Sequence, residues 1–373
     1  MPPATIFLDL GDLFTKGLAV DGRGRARRLR FPSAVARALL GPDPPTSGDD
    51  LMLEASGGPV RPVGFDPALH PRADSYPGGA AFLLEARGHL EGEAVLCGWL
   101  AAAYGADRQV LGLHPTTENV ALLSRKALLA CAPPEGAVTV VFVVDTGVKA
   151  QVICQHAGSL SGEVSVTGRS LRRGAAHQVR LQVRAQVDDA AGCGAAFARQ
   201  DPALLLADRL LVLDVGYFRT KLAVVSEALG CELQSEHADL GVSDCVRRVM
   251  RDSQDQGLVG DEYALARALE SRRDVVSLAK RSFGIADVMA AAATDLSRGI
   301  ARVVRTELLG DYARSGRPCQ AAVIMGGGAA HVGPQVAELL RAEELGLRSV
   351  RVTTEPSFAL VEGARLLWAA GKP

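Results

Sequence analysis

Several absences narrow the sequence before any motif is read. Neither sign of charge dominates: 41 Lys and Arg stand against 42 Asp and Glu, a formal net charge of −1. A chain this balanced has no basic field with which to seek nucleic acid, so direct nucleic-acid binding is not expected. The seven cysteines, at positions 97, 131, 154, 193, 231, 245 and 319, never fall into a C-x-x-C. That spacing argues against a zinc site or a disulfide framework and fits free thiols in a reducing cytoplasm. No apolar run approaches the ~20 residues that span a bilayer. The opening MPPATIFLDL has no basic n-region, so no signal peptide and a cytoplasmic location are expected.

What is present is a soluble globular composition, 48% apolar and 22% charged over 373 residues. That length allows two domains with cores of their own. One short stretch is written twice. Residues 6–20 read IFLDLGDLFTKGLAV and residues 211–225 read LVLDVGYFRTKLAVV. Leu8/Leu213, Asp9/Asp214, Gly11/Gly216, Thr15/Thr220 and Lys16/Lys221 coincide.

Each copy is an apolar run, Asp-x-Gly, three residues, Thr-Lys and a second apolar run, which predicts a hairpin of two buried strands. Gly11 and Gly216 free the backbone of the turn, so that amide groups can face a bound group closely. Asp9 and Asp214 precede the turn. A carboxylate there repels phosphate but can hold a hydrated Mg²⁺ that bridges to phosphate oxygens. Thr15 and Thr220 can donate hydroxyls, and Lys16 can place a point charge on the phosphates. Repetition on this scale suggests a duplicated domain with one ligand, a nucleoside triphosphate, between the halves.

The rest of the chain reads as alternating strands and helices. A meander covers 5–31, ending in the basic strand RARRLRF. Its Arg25, Arg27, Arg28 and Arg30 alternate, which is the pattern of a solvated strand face rather than of a nucleic-acid patch. Residues 41–49 and 55–80 are rich in Gly and Pro and read as linker and excursion. A strand leading into a helix is expected over 93–105, a helix over 117–131 with Thr117 as its N-cap, and a buried strand over 138–144. AQVICQH, EVSVTG and HQVRLQVRAQV are expected as short strands within 150–187. Asp188 and Asp189 follow at a strand-to-helix junction. Two readings stand side by side for them: capping of the helix N-terminus, or polarising a water for attack on a phosphate.

Downstream, helices are expected over 241–252, where Ser243 can cap, and over 260–271. Arg272, Arg273, Lys280 and Arg281 then form a basic cluster, a solvated helix end or a contact to base or ribose. A long amphipathic helix covers 286–313. The strand AAVIM then runs into Gly326, Gly327 and Gly328, which allow a base and ribose to approach the backbone. The chain closes with a strand, a turn at Pro356 and a helix carrying Ala359, Val361, Ala364, Leu367 and Trp368.

Taken in order, these pieces resemble the actin/sugar-kinase/chaperone ATPase superfamily, and within it the ParM/StbA plasmid-segregation type and its archaeal relatives. The resemblance rests on Asp9–Lys16, Phe31-Pro32-Ser33, the EAVLCGWLA segment, the second motif from Asp214, Met325–Ala329, and Pro356–Ala359 with Gly363. It implies an α/β fold of duplicated ribonuclease H-like domains, with mixed sheets flanked by helices and a nucleotide cleft between them. The expected division is 1–205 with the C-terminal helix 355–373, and 206–354. It further implies ATP or GTP with Mg²⁺, self-assembly into head-to-tail filaments loosened by hydrolysis, and an adaptor linking the filament to DNA or other cargo. In such proteins a residue before the second phosphate motif orients the attacking water; here that is Asp188, with Asp189 beside it.

Departures from the family pattern are specific. Asp12 stands where a small polar residue is usual, and its charge is expected to weaken triphosphate binding unless it turns away. Tyr217-Phe218-Arg219 is bulky, Lys221 replaces a frequent acid, and Asp stands for the usual hydrolytic Glu. These motivate a second reading, a degenerate scaffold or adaptor of the FtsA or PilM kind with weak or no hydrolysis. No C-terminal amphipathic membrane helix is evident, against the FtsA version. A small-molecule kinase would need an acceptor-activating Asp in a substrate loop, and no convincing Gly-rich sugar site is found. The seventy-kilodalton chaperones would need a peptide-binding region after the ATPase.

Overall fold

A computed structural model describes residues 4–12, 14–33, 35–38, 51–54, 82–84, 94–97, 117–170, 176–252, 265, 275–278, 281–343 and 345–371. The chain divides into two compact units, Met1–Asp188 and Asp189–Pro373.

The first unit contains β1 (Ala4–Leu10), β2 (Phe14–Val20), β3 (Ala26–Pro32), β4 (Val35–Ala38), β5 (Leu51–Glu54), β6 (Phe82–Leu84), β7 (Ala94–Cys97), α1 (Thr117–Cys131), β8 (Glu135–Val144), α2 (Val148–Leu160), β9 (Gly162–Ser170) and β10 (Ala176–Asp189). They form one mixed sheet in the order β3-β2-β1-β8-β10-β9-β5-β7-β4-β6. The meander expected from 5–31 is β1 to β3, antiparallel throughout. β1 also runs parallel to β8. It is central and buried on both faces, which is why its apolar run does not alternate. Ile6, Leu8 and Leu10 pack with Val120, Leu123 and Ala127 of α1, with Phe142, and with Ile153 of α2.

One expectation is corrected here: AQVICQH belongs to helix α2, not to a strand. The pair Val152-Ile153 suggests a strand locally. The burial, however, falls on Ile153, His156, Ala157 and Leu160, a spacing of three and four that only a helix presents to one core. By contrast, HQVRLQVRAQV does lie in a strand, β10, where Val179, Leu181 and Val183 are buried and Arg180, Gln182 and Arg184 exposed.

The second unit contains α3 (Ala190–Ala198), α4 (Pro202–Leu205), β11 (Arg209–Val215), β12 (Thr220–Ser226), β13 (Cys231–His237), α5 (Val242–Asp252), β14 (Val275–Leu278), β15 (Arg281–Gly284), α6 (Ala286–Ser315), β16 (Ala321–Met325), α7 (Ala329–Ala342), β17 (Ser349–Val352) and α8 (Ala359–Ala369). Its main sheet runs β13-β12-β11-β16-β17. This reproduces, strand for strand, the β3-β2-β1-β8-β10 half of the first sheet. β11 is antiparallel to β12 and parallel to β16, as β1 is to β2 and β8. The helix expected over 286–313 is α6, closed by Gly316 in the left-handed conformation (φ 66°). α8 packs against α3. The contact depends on Gly363, where an added Cβ would lie 1.8 Å from the Cys193 carbonyl oxygen. Apart from Leu265, which is helical and buried, the helix expected over 260–271 lies outside the described residues, as do the helical part of 93–105 and most of the basic cluster at 272–281.

Among the described residues no helix is long and apolar enough to cross a membrane, and no group of three or more His, Cys, Asp or Glu forms a metal cluster.

Candidate functional site

The repeated motif forms the same hairpin twice, in the same register. Asp9 faces Lys16 and Leu10 faces Thr15 across β1–β2; Asp214 faces Lys221 and Val215 faces Thr220 across β11–β12. Both glycines are required for one reason. A Cβ on Gly11 would sit 2.6 Å from the Phe14 carbonyl oxygen, and one on Gly216 would sit 2.8 Å from that of Arg219. Each turn closes on itself at the third residue, and in the second copy the Gly216 amide donates to that carbonyl at 2.9 Å.

The threonines are matched too. Thr15 is fully buried, its Oγ1 3.0 Å from Ser33 Oγ. Ser33 gives its one hydrogen to the Gly11 carbonyl at 2.6 Å, so Thr15 is the donor to Ser33. Thr220, also buried, donates to the Leu240 carbonyl. In each unit, then, the threonine ties the segment after the third strand back to the hairpin. Both hydroxyls are spent inside the protein.

The charged residues of the first loop occur as two pairs. Lys16 Nζ contacts Asp9 Oδ2 at 3.0 Å, with side chains 11% and 16% exposed. Lys149 Nζ, from the first turn of α2, contacts Asp12 Oδ1 at 2.8 Å. Parallel neighbours β1 and β8 end at the same edge, so the loop after β1 and the turn into α2 meet there. The carboxyl ends of parallel strands are where α/β sheets bind ligands. Lys149 was missed in the sequence because nothing in DTGVKA marks it; only the β1–β8 pairing brings it to Asp12.

In the second unit the loop after β11 and the glycine run after β16 meet in the same way. Gly326 has φ 94°, and a Cβ there would lie 2.0 Å from Asp214 Oδ1. The Gly328 amide donates to the Val215 carbonyl at 2.8 Å, and a Cβ on Gly328 would strike Val242 and Val215. Gly327 differs, because a Cβ there would meet nothing within 4 Å. Packing explains two of the three glycines and leaves the third facing open space.

The bulk of the second loop is turned inward. This holds for Tyr217, which is 6% exposed with its ring edge-on to Phe218 at 4.8 Å, whereas Phe218 and Arg219 stay partly exposed. The first amides of α5 land on this loop, Val242 on the Gly216 carbonyl and Ser243 on the Tyr217 carbonyl. The cap of α5 is not the Ser243 hydroxyl: Asp244 accepts from the Gly241 amide at 3.0 Å. Burial holds the Asp244 carboxyl above its usual pKa.

Asp189 caps α3, accepting from the Gly192 amide at 2.8 Å. Asp188 is the half-buried residue before it on β10. The arginine stripe of β3 lies on the edge strand of its sheet, with Arg25, Arg27, Arg28 and Arg30 exposed. A groove of about 780 Å³ at the opposite end of β1 from the Gly11 turn is lined by Ala4, Val20, Arg27, Cys131 and Pro133.

No protein-family model and no curated protein matches the sequence. Solved structures do match. An archaeal actin homologue covers 99% of this chain and 100% of its own at 16% identity, with a TM-score of 0.67. ParM from a 15-stranded filament of Clostridium botulinum covers 100% of both chains at 14% identity, TM-score 0.65. The chain has the ParM-type actin-like fold. Bacillus thuringiensis ParM with ATP is a more distant match, 13% identical over 99% of this chain and 98% of its own, TM-score 0.56. In this actin-like fold the two Asp-x-Gly hairpins occupy corresponding places, one in the five-stranded sheet and one in the half of the larger sheet that shares its strand order.

Proposed function

We propose that this chain is an actin-like ATPase that assembles into filaments with a nucleoside triphosphate and disassembles on hydrolysis. One observation carries the reading: an Asp-x-Gly hairpin built twice, in identical register, at the carboxyl ends of the paired parallel strands of each sheet. Its support is the likeness to ParM from a filament, to ParM with ATP, and to the archaeal homologue in complex with ADP (18% identity over 99% of this chain and 100% of its own, TM-score 0.64).

The residue roles are part of the same proposal. In the first unit the Gly11 loop, and in the second the Gly216 loop and the open backbone at Gly327, are the segments suited to receive phosphate or ribose. Asp9 in the first unit and Asp214 in the second are the carboxylates that would hold a hydrated Mg²⁺, which would supply charge neutralisation to the phosphates. Lys16, 3.0 Å from Asp9, shares that carboxylate. Asp189 is committed to its helix cap, so positioning the attacking water falls to Asp188, in a reaction governed by alignment and charge stabilisation. A cytoplasmic setting, with an adaptor coupling the filament to DNA or other cargo, fits the free cysteines and balanced charge.

Light scattering with phosphate release under ATP and Mg²⁺ tests this. Asp214→Ala is expected to abolish Mg²⁺-dependent nucleotide binding. Asp188→Ala is expected to keep binding and slow phosphate release by about a hundredfold. Assembly and turnover absent over a broad range of salt, ATP and GTP would reject it. The scaffold reading is favoured by the Asp12 carboxylate beside the first loop; binding of nucleotide without turnover would support that reading instead.

A further inference from the structure

We propose that Lys149 is a second anion-binding cation of the first loop, beside Lys16, and that Asp12 is its built-in competitor, occupying the ammonium until a phosphate group displaces it. The inference rests on the nucleotide reading above and deepens it.

The two lysines at this loop are placed differently. Lys16 lies against the turn, its Nζ 3.4 Å from where a Gly11 Cβ would stand; it is 11% exposed and engaged by Asp9. Lys149 comes from a separate element and is the more open of the two at 23%. Its partner is Asp12, the residue directly after Gly11. A carboxylate and a phosphoryl group are alternative ligands for one ammonium, each making a short charge-assisted hydrogen bond. A polyphosphate at this loop therefore meets a carboxylate already seated on the cation it needs. It binds either by displacing Asp12 or beside a like charge, and both lower its affinity. The cost grows with the charge brought to the loop, so Asp12 penalises ATP more than ADP.

The bland alternative is an ion pair that only fastens α2 to the hairpin. The two accounts part on Asp12→Asn, which keeps the shape of the side chain and removes its charge. Titration calorimetry of the full chain with ATP and with ADP, each with Mg²⁺, is the test, with thermal unfolding of each variant alongside. If Asp12 competes, Asp12→Asn tightens ATP by about tenfold or more, the worth of one charge-assisted bond, and tightens ADP less. Lys149→Met weakens ATP by a similar factor and, combined with Asp12→Asn, removes the whole gain.

Unchanged or weaker ATP binding in Asp12→Asn overturns the proposal. So does a double variant that binds ATP as well as Asp12→Asn alone, because Lys149 would then merely neutralise Asp12. A wild type that binds nothing while Asp12→Asn binds ATP supports the proposal in its strongest form. Nucleotide binding in neither overturns it together with the nucleotide reading, whereas equal binding in both overturns it alone.

Discussion

His156 shows how far a single buried group can bias this molecule. It is 4% exposed on the inner face of α2, its ring edge-on to Phe142 at 5.9 Å. Among the described residues its Nε2 has no hydrogen-bond partner. Burial, and then the positive charge of Arg125, lower its pKa from 6.5 to about 4. The folded state thus holds fewer protons than the unfolded one between those values. The stability that the neutral imidazole preserves is complete above pH 6.5 and is lost as the pH falls toward 4. Two and a half units correspond to about 3 kcal/mol. His156→Leu is therefore expected to flatten the pH dependence of urea unfolding between pH 4 and 6.5. A variant with the slope of the wild type would place the acid sensitivity elsewhere.

At the same scale Gly326 is the least replaceable residue of the glycine run. Ala there faces both a left-handed φ and a 2.0 Å approach to Asp214. Ala at Gly327 meets open space. Gly326→Ala is expected to destabilise by about 2 kcal/mol or more and Gly327→Ala by less than about 1 kcal/mol in chemical denaturation. If Gly327 lies against a nucleotide, its variant is the one that loses binding while remaining folded. Loss of stability in equal measure at both positions would refute the distinction between them.

At the scale of elements, what was legible followed the range of the physics. The hairpins, the helix over 117–131 and the long helix α6 are written in local periodicity and turn chemistry, and they stand where they were read. AQVICQH failed because β-branching is a weaker cue than the spacing of the residues that become buried. The contacts of Asp12 and Tyr217 were illegible for another reason. A departure from a pattern shows that something compensates, but Lys149 and the inward turn of the second loop depend on strand pairing that no window of sequence contains. The α3–α8 contact belongs to this class as well. Cys193 and Gly363 are ordinary alone, yet the helices meet only because position 363 has no side chain. Gly363→Ala is expected to cost about 2 kcal/mol or more as the helices are forced apart, read as a drop in urea midpoint. An unchanged midpoint would mean the pair slides to accommodate it.

Across the whole molecule, duplication makes a prediction that no single site can. Thr15 and Thr220 perform one task in two units, each tying the segment after the third strand to its hairpin through a buried hydroxyl. Their partners, Ser33 and the Leu240 carbonyl, are unrelated in sequence, so the likeness lies in the architecture. Thr→Val keeps the shape and β-branching and removes only the hydroxyl, leaving a buried (Ser33) or part-buried (Leu240) partner unsatisfied at about 1–2 kcal/mol. Because the two substitutions share no partner, their costs are expected to add. Hydrogen exchange read by peptide distinguishes the units. Thr15→Val is expected to speed exchange in β1 to β3 and leave β11 to β13 unchanged, and Thr220→Val to do the reverse. Faster exchange in both sheets from either substitution would show that the units open together, and that the repeated hairpins stand or fall as one cooperative structure.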